Sequence, residues 1–529
     1  MILDWQICSR ARLSRDARFD GKFFIAVLST KIYCRSICPA RTCKESSVVY
    51  YPSAAAAAEA GYRPCLRCRP ESSPGTPAWM GTSSTVSRAL RLIGESGLDD
   101  GGVEVLAERL GVGSRHLRRL FLRHLGATPI AVAQTRRLHF AKKLIDETSL
   151  PMNQIALASG FGCVRRFNAG ITKVYHRTPT QIRRLARQTK LQTGNQYVFR
   201  LHFRPPYHWE GMLAFLAARA TPGVEFVEQG CYRRTISMSG RDGYFEVSID
   251  RENSALVAQI EFGDPRSLFF IVERIRAMFD LNADWSAIVQ SLRLDPALSE
   301  RVEFDPGLRV PGCWNGFELA TRAILGQQIT VKGATALAGR LTASLGRALP
   351  SSSSLSSSLS SSLSLSRGSP LAPAKGLTHL FPTPEVLAGA KLVNIGLTGA
   401  RAETIRGLAR AVADGKIQFE GVVDADAFQR RLCEIPGIGM WTAQYVAMRA
   451  LGEPDAFPSS DLGLLRAMGL KNSRELEKRA EAWRPWRAYG AMYLWKIGSQ
   501  AAGGGNKLRS SIQKMGTEGT APQQVPMSL

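Results

Sequence analysis

No run of 18 apolar residues occurs anywhere in this 529-residue chain, so no segment reads as a membrane-spanning helix. The opening MILDWQICSRARLSRD lacks the continuous apolar core of a secretory signal, and a cytoplasmic, nucleoid-associated location is expected. In that reducing compartment the 10 cysteines are not read as a disulfide framework. Acidic residues are scarce beside basic ones: 44 Asp/Glu face 69 Lys/Arg, for a net charge of +25 and a pI near 10.0. Such an imbalance points to a polyanionic partner, either nucleic acid or an acidic membrane surface. Residues 1–190 hold 31 Lys/Arg against 13 Asp/Glu, so +18 of the total lies in the first third. What remains is the composition of folded domains, 44% hydrophobic and 8% aromatic, in a chain long enough for three or four of them.

The cysteines cluster. Cys34-x3-Cys38 and Cys65-x2-Cys68 are two knuckles 26 residues apart, a spacing suited to one tetrahedral Zn²⁺. Strand-like runs (FFIAVLST, SVVYY) and a short alanine helix lie between them, and so small a module would draw much of its folding energy from the metal. Spacing alone favours a structural zinc ribbon. The segments FIAVLSTKIYCRSICPA and GYRPCLRCRPE, however, closely resemble the N-terminal domain of the Ada adaptive-response family. That resemblance implies a zinc-bound thiolate that irreversibly accepts a methyl group from a DNA phosphotriester. The matching acceptor is Cys34, with Cys38, Cys65 and Cys68 as the other ligands and Thr30, Arg41 and Arg67 near the phosphate. Zinc would keep Cys34 as thiolate, and methylating one of four thiolates removes a negative charge that repels DNA. Cys43, between the knuckles, is a further thiol that competes for a place in the ligand set, whereas Cys8 and Cys163 read as small hydrophobes.

After a linker at 73–80 come two helix-turn-helix patterns. VEVLAERLGVGSRHLRRLFLRHLGATP (103–129) has a turn at Gly111 and an expected N-cap at Ser114. NQIALASGFGCVRRFNAGITKVYHRTPTQIR (153–183) resembles the AraC-family signature, and a helix around 131–147 joins the two units as in that family. Arg115, Arg118, Arg119, Arg165 and Arg166 fall on the expected recognition helices. His116, His124, His139 and His176 read as phosphate contacts or surface residues, not metal ligands.

Beyond a basic connector at 185–195, strand-like stretches (YVFRLHF, FEVSID, ALVAQIEF) alternate with amphipathic helices, and a helix-rich part follows. Within it, IPGIGMWTAQYVAMRALGEPDAFPSSD (435–461) combines a Pro-Gly-Ile-Gly turn, a helix N-terminus suited to an anion, and an aspartate. This stretch resembles the helix-hairpin-helix-Gly-Pro-Asp superfamily of DNA glycosylases. The blocks at 204–220, 308–330 and 480–496 narrow the resemblance to the 3-methyladenine DNA glycosylase II (AlkA) family.

The resemblance implies base release from alkylated purines, with Asp461 as the catalytic carboxylate and Asp455 as its nearest rival. Trp441, Tyr445, Trp495 and Phe215 would offer electron-rich faces to a cationic base, while Trp483 and Trp486 read as packing. Gly437, Ile438 and Gly439 would take a DNA phosphate, and the carbonyls of Cys433, Ile435 and Gly437 a monovalent cation. Members of the superfamily that also cut the strand have a lysine where Trp441 stands, so a monofunctional hydrolase is expected. The family's intercalating leucine aligns with Gln328, with Ile329 as a substitute wedge, and Leu462 stands where a relative has tyrosine.

The expected fold is multidomain α+β. It comprises a small zinc-binding domain (1–75), an all-α double helix-turn-helix domain (81–188), an α/β subdomain (196–305) and a helical helix-hairpin-helix glycosylase domain (306–500). A Ser/Leu tract at 351–370 reads as a surface insertion and 501–529 as a disordered tail. No Pro-Cys-His-Arg motif occurs, so the second methyl-acceptor domain usual in Ada is absent. The expected partners are alkylated duplex and promoter DNA, with RNA polymerase as a further one, and no membrane. Two other readings stand: a transcription factor whose glycosylase half is an inactive clamp, and a purely structural zinc.

Overall fold

The computed structural model describes residues 4–74, 83–94, 102–185, 196–349, 375–392, 395–421 and 424–503, with side chains described to 496. The Ser/Leu tract, nearly all of the tail, and most of the linkers at 73–80 and 185–195 lie outside the described residues.

The first module packs helix α1 (Trp5–Leu13) and the small sheet β1 (Phe24–Val27), β2 (Ile32–Cys34), β3 (Val48–Tyr51) and β4 (Arg63–Pro64), with α2 (Ala54–Glu59) between β3 and β4. The strand order is β3-β1-β2-β4, antiparallel except for the β2–β4 pair. The parallel pairing of β2 with β4 (Ile32 with Arg63, Tyr33 with Pro64) brings Cys34 level with Cys65, so the two knuckles leave the sheet side by side. The alanines of α2 are not idle filler: Ala55 and Ala56 join a core with α3 (Ser83–Gly94), α4 (Gly102–Arg109) and α5 (Ser114–Leu125). Ser114 is the first helical residue of α5, not its cap; Gly113 occupies the N-cap and makes no side-chain capping bond.

Helix α6 (Pro129–Glu147) joins this unit to α7 (Met152–Ala158), α8 (Val164–Tyr175) and α9 (Pro179–Leu185). The following chain forms β5 (Gln196–His202), α10 (Trp209–Ala217), β6 (Glu225–Glu228), β7 (Cys231–Met238), β8 (Arg241–Asp250) and β9 (Ala255–Phe262), then α11 (Leu268–Met278). The five strands make an antiparallel sheet in the order β5-β9-β8-β7-β6. Strong alternation along these strands puts Phe199, Leu201, Phe245, Val247 and Ile260 inside. The same hydrophobic core contains Phe140 and Leu144 of α6 and Ile155, Phe167 and Ile171 of the second helix-turn-helix. The two regions therefore share one interior across the basic connector, and the chain is not a string of independent beads.

The helical part comprises α12 (Trp285–Leu292), α13 (Pro296–Phe304), α14 (Gly316–Leu325), α15 (Val331–Leu345), α16 (Pro384–Gly389), α17 (Gly399–Ala413), α18 (Ala425–Cys433), α19 (Met440–Ala450), α20 (Leu462–Met468), α21 (Ser473–Ala480) and α22 (Arg487–Gly503) around a separate core. The chain leaves for the Ser/Leu tract and returns at one point: Leu349 N–H donates to Thr378 O (2.9 Å) and Leu380 N–H to Arg347 O (2.9 Å). Among the described residues no helix is long and apolar enough to cross a membrane.

Candidate functional sites

In the N-terminal module the sulfurs of Cys34, Cys38, Cys65 and Cys68 lie within 4.8 Å of one another. Four thiolates about 2.3 Å from one tetrahedral ion span such a distance, and the donor set is the one zinc prefers. Cys43 is outside the cluster, and none of the 10 cysteines is in a disulfide. Cys68 is buried and its sulfur accepts the Arg35 N–H (3.4 Å). Arg35 also donates to the Cys68 carbonyl (3.2 Å) and is held by a buried ion pair with Asp20. Thr30, Arg41 and Arg67 are exposed, on the β1–β2 turn and on the two knuckles. Tyr33, next to Cys34, bonds His139 of α6 (2.9 Å) and so ties the module to the helix-turn-helix domain.

On the helix-turn-helix units Arg115, Arg118, Arg119, Arg165 and Arg166 are all exposed, on α5 and α8. Arg118 is paired with Glu104 (2.8 Å) and Arg119 bonds His116 (3.0 Å).

In the C-terminal half, α18 and α19 form the helix-hairpin-helix. Gly437 has φ +89°, a conformation side chains avoid, and a Cβ there would sit 2.1 Å from Thr404 Oγ1. Gly439 is extended and occupies the N-cap position of α19. Ile438 is buried and its N–H is committed to the Ile435 carbonyl (3.0 Å), so Gly437 and Gly439 are the exposed part of the turn.

Asp461 is the N-cap of α20, and its carboxylate is held from four directions. Oδ1 accepts from Gly463 N–H (2.8 Å), Leu464 N–H (3.0 Å) and Trp495 Nε1–H (2.9 Å); Oδ2 accepts from Trp441 Nε1–H (2.9 Å). The side chain expected to be the catalytic carboxylate is thus also a helix cap. The rival Asp455 is consumed by ion pairs to Arg484 and Arg487. The indoles serve here by their N–H edges, a role that ring faces alone did not suggest. Trp441 stacks on Tyr445 (ring centroids 5.5 Å, 6°), which meets Trp495 edge-on (6.1 Å, 66°). Phe215, on α10, lies against the guanidinium groups of Arg219 (3.9 Å) and Arg449 (4.8 Å). Trp483 and Trp486 are buried as packing.

Two groups were missed by sequence reasoning. Gln327 donates to Gly437 O (2.9 Å) and Thr442 Oγ1 (3.2 Å), fastening the exposed turn at Gln328 and Ile329 to the hairpin. Gln328 takes the left-handed φ of +59° at the tip of that turn. Arg449 donates to the carbonyls of Pro311 (2.7 Å) and Gly312 (3.1 Å) and to Tyr445 Oη (2.6 Å). Glutamine and arginine at such distances in sequence carry no motif, so only folding reveals them.

Comparison of the sequence with known families and proteins gives a consistent assignment. The family described as metal binding domain of Ada matches residues 7–71, the helix-turn-helix domain family 106–185, and the AlkA N-terminal domain family 198–315. A probable bifunctional transcriptional activator/DNA repair enzyme AlkA of Mycobacterium tuberculosis is 39% identical over 500 residues, 93% of this chain and 96% of that protein. DNA-3-methyladenine glycosylase 2 of Escherichia coli is 29% identical over 301 residues, 56% of this chain and 96% of its own. The bifunctional transcriptional activator/DNA repair enzyme Ada of E. coli is 37% identical over 125 residues, 24% of this chain and 34% of its own. Among solved structures, the 3-methyladenine DNA-glycosylase of Archaeoglobus fulgidus superposes with a TM-score of 0.47 at 21% identity, over 57% of this chain and 98% of that one.

Proposed function

This chain belongs to the family of bifunctional transcriptional activators and DNA repair enzymes of the AlkA type, and from that premise we propose how its residues divide the work. It is a DNA-alkylation response protein: a regulator that senses methyl phosphotriesters, joined to a glycosylase that hydrolyses the N-glycosidic bond of alkylated purines such as 3-methyladenine. The domains run 1–75, 81–188, 196–305 and 306–500.

Asp461 is the catalytic carboxylate, and the observation that carries this is its fourfold grip. Four hydrogen bonds fix the carboxylate in place, so its contribution is electrostatic: fixed negative charge beside the sugar, where positive charge develops as the base departs. Oδ2 has a single partner and keeps a lone pair to align the attacking water. Trp441, Tyr445, Trp495 and Phe215 wall the space for the extruded base. An indole, Trp441, stands where strand-cutting members of the superfamily have a lysine, so the product is an abasic site.

Gly437, Gly439 and the first turn of α19 grip the phosphate, with Ile438 anchoring the turn in the core. The carbonyls of Cys433, Ile435 and Gly437 are the proposed ligands of a monovalent cation. Gln328, backed by Ile329, is the wedge.

In the N-terminal module Cys34 is the proposed methyl acceptor. Its sulfur attacks the methyl carbon of the phosphotriester, the C–O bond breaks, and a phosphodiester anion and a thioether result. Zinc, held by the four cysteines, supplies the charge that keeps the sulfurs as thiolates. Thr30, Arg41 and Arg67 face the phosphate, and the arginines of α5 and α8 hold promoter DNA. RNA polymerase is the proposed protein partner of this state, and the nucleoid its proposed location.

The test is Asp461→Asn. Asparagine keeps the helix cap but removes the charge, so base release from methylated duplex should fall by about 100-fold or more while duplex binding persists. Release at the wild-type rate would overturn the assignment. Mass spectrometry after exposure to methyl-phosphotriester DNA tests Cys34, which alone should gain a methyl group.

A further inference from the structure

The wall of the base pocket carries positive charge that the chemistry of a cationic substrate does not call for. Four arginines lie together behind Phe215 and Tyr445: Arg219, Arg234, Arg322 and Arg449. Two buried carboxylates, Glu225 and Glu318, ion-pair with Arg234 and Arg322. Among the described residues neither Arg219 nor Arg449 has a carboxylate partner. Arg449 is 5% exposed and held by two carbonyls and the Tyr445 hydroxyl, and Arg322 donates to the backbone carbonyl of Arg219. Burial would raise the Tyr445 phenol, yet Arg449 and Arg219 overcome it and leave the phenol more acidic than usual. Both guanidinium groups sit over the Phe215 ring, at 3.9 and 4.8 Å from its centroid. At the sugar end stands the opposite charge, Asp461, bonded to Trp441, which itself stacks on Tyr445.

We propose that Arg219 and Arg449 form a cationic wall that sets lesion selectivity by drawing electrons toward the base end of the pocket. This rests on the reading that Phe215 and Tyr445 line the base site. When the C1′–N bond breaks, its electron pair leaves with the base and the sugar becomes an oxocarbenium ion. Water then adds to C1′, and the proton it sheds neutralises a base that left as an anion or passes to solvent. A neutral lesion binds this wall without penalty and departs with developing negative charge, which the guanidinium groups stabilise. A cationic lesion is repelled in the ground state and relieved of that repulsion as its charge moves to the sugar, so its binding weakens while its bond-breaking step speeds up. The wall therefore favours neutral damaged bases relative to cationic ones, and Arg219, two residues past the end of α10, is the specificity-determining residue open to substitution.

The experiment compares the full-length wild type, Arg219→Gln and Arg219→Lys on one duplex carrying either hypoxanthine (neutral) or 7-methylguanine (cationic). Single-turnover rates and dissociation constants are measured for each, with Asp461→Asn as a control. For Arg219→Gln, the maximal rate on hypoxanthine should fall about tenfold or more with an unchanged dissociation constant. On 7-methylguanine the rate should fall while binding tightens, so the ratio of rate to dissociation constant changes less than about threefold. Arg219→Lys, which keeps the charge, should retain the wild-type preference; it also answers the question if the glutamine variant fails to fold. Equal losses on both lesions with unchanged binding, or lost preference in the lysine variant, would overturn the proposal. If Asp461→Asn instead released both bases at the wild-type rate, the underlying site assignment would fall first.

Discussion

The four-cysteine cluster and the Asp461 site are the two proposed reactive centres, and they are built in opposite ways. The four sulfurs come from two knuckles within 35 positions of one another, in a module whose own hydrophobic clusters are small. Asp461 is held instead by backbone and indole N–H groups from three helices, above a large helical core that also draws in Phe215 from the α/β subdomain. One centre asks a metal to gather charged ligands that would otherwise repel; the other uses packing to aim neutral donors at a single charge. The first should thus be fragile to anything that competes for sulfur or metal, and the second to loss of individual donors.

The sharpest way to break this comparison is to strip the metal. A chelator should unfold the N-terminal sheet, because bound zinc supplies on the order of 10 kcal/mol to such modules. Base release should survive, since the helical core shares no residue with that module. Hydrogen exchange over residues 24–34 and 48–51, measured beside base release, checks both halves of the statement; parallel loss of the two would contradict it.

Acid should dismantle the two centres in order. Protons compete with zinc for the thiolates, so the zinc module goes first as pH falls. In the glycosylase half burial would push Glu225 up, but Arg322 and Arg234 hold it down to about 2. A carboxylate depressed in the folded state stabilises above its unfolded value near 4.5 and loses that contribution as pH falls toward 2. A decline of up to about 3 kcal/mol is expected across that window, seen in thermal melts and blunted in Glu225→Gln.

Removing one indole donor from Asp461 is the next step down. Trp495→Phe deletes a hydrogen bond to a charged acceptor, worth about 1.5–3 kcal/mol, so base release should slow by roughly tenfold or more. Trp441→Phe should act alike, and the double variant should fall short of the product of the two if both indoles orient one carboxylate. The smallest effect is expected for Gln327→Ala, about 1 kcal/mol or several-fold in rate. Because Gln327 fastens the proposed wedge turn to the hairpin, its loss should matter more for a paired target base than for a mismatched one.

Much of this was legible without coordinates because it is carried by short-range chemistry. Cys34, Cys38, Cys65 and Cys68 announce their cluster through spacing, and Asp461 through its register after a Pro-Gly-Ile-Gly turn. The strand-like runs FFIAVLST, SVVYY and ALVAQIEF contain or form β1, β3 and β9. Strands β6 and β7 were not singled out, since EFVE is too short and CYRRTISM too irregular in its burial to stand out. Ser114 was misplaced as a cap because serine is favoured there, while Gly113 takes the position through its backbone.

By itself, the sequence determined that this protein carries a four-thiol metal site, two helix-turn-helix units and a hairpin followed by an acidic residue, because each is written in neighbouring residues. Only the tertiary structure decided that two indole N–H groups grip Asp461, that Arg219 and Arg449 crowd Phe215, and that the second helix-turn-helix shares its interior with the glycosylase sheet. Apart from Arg219, four positions after Phe215, those contacts join residues tens to hundreds of positions apart. They depend on where whole helices and strands come to rest, which no local pattern of charge or hydrophobicity encodes.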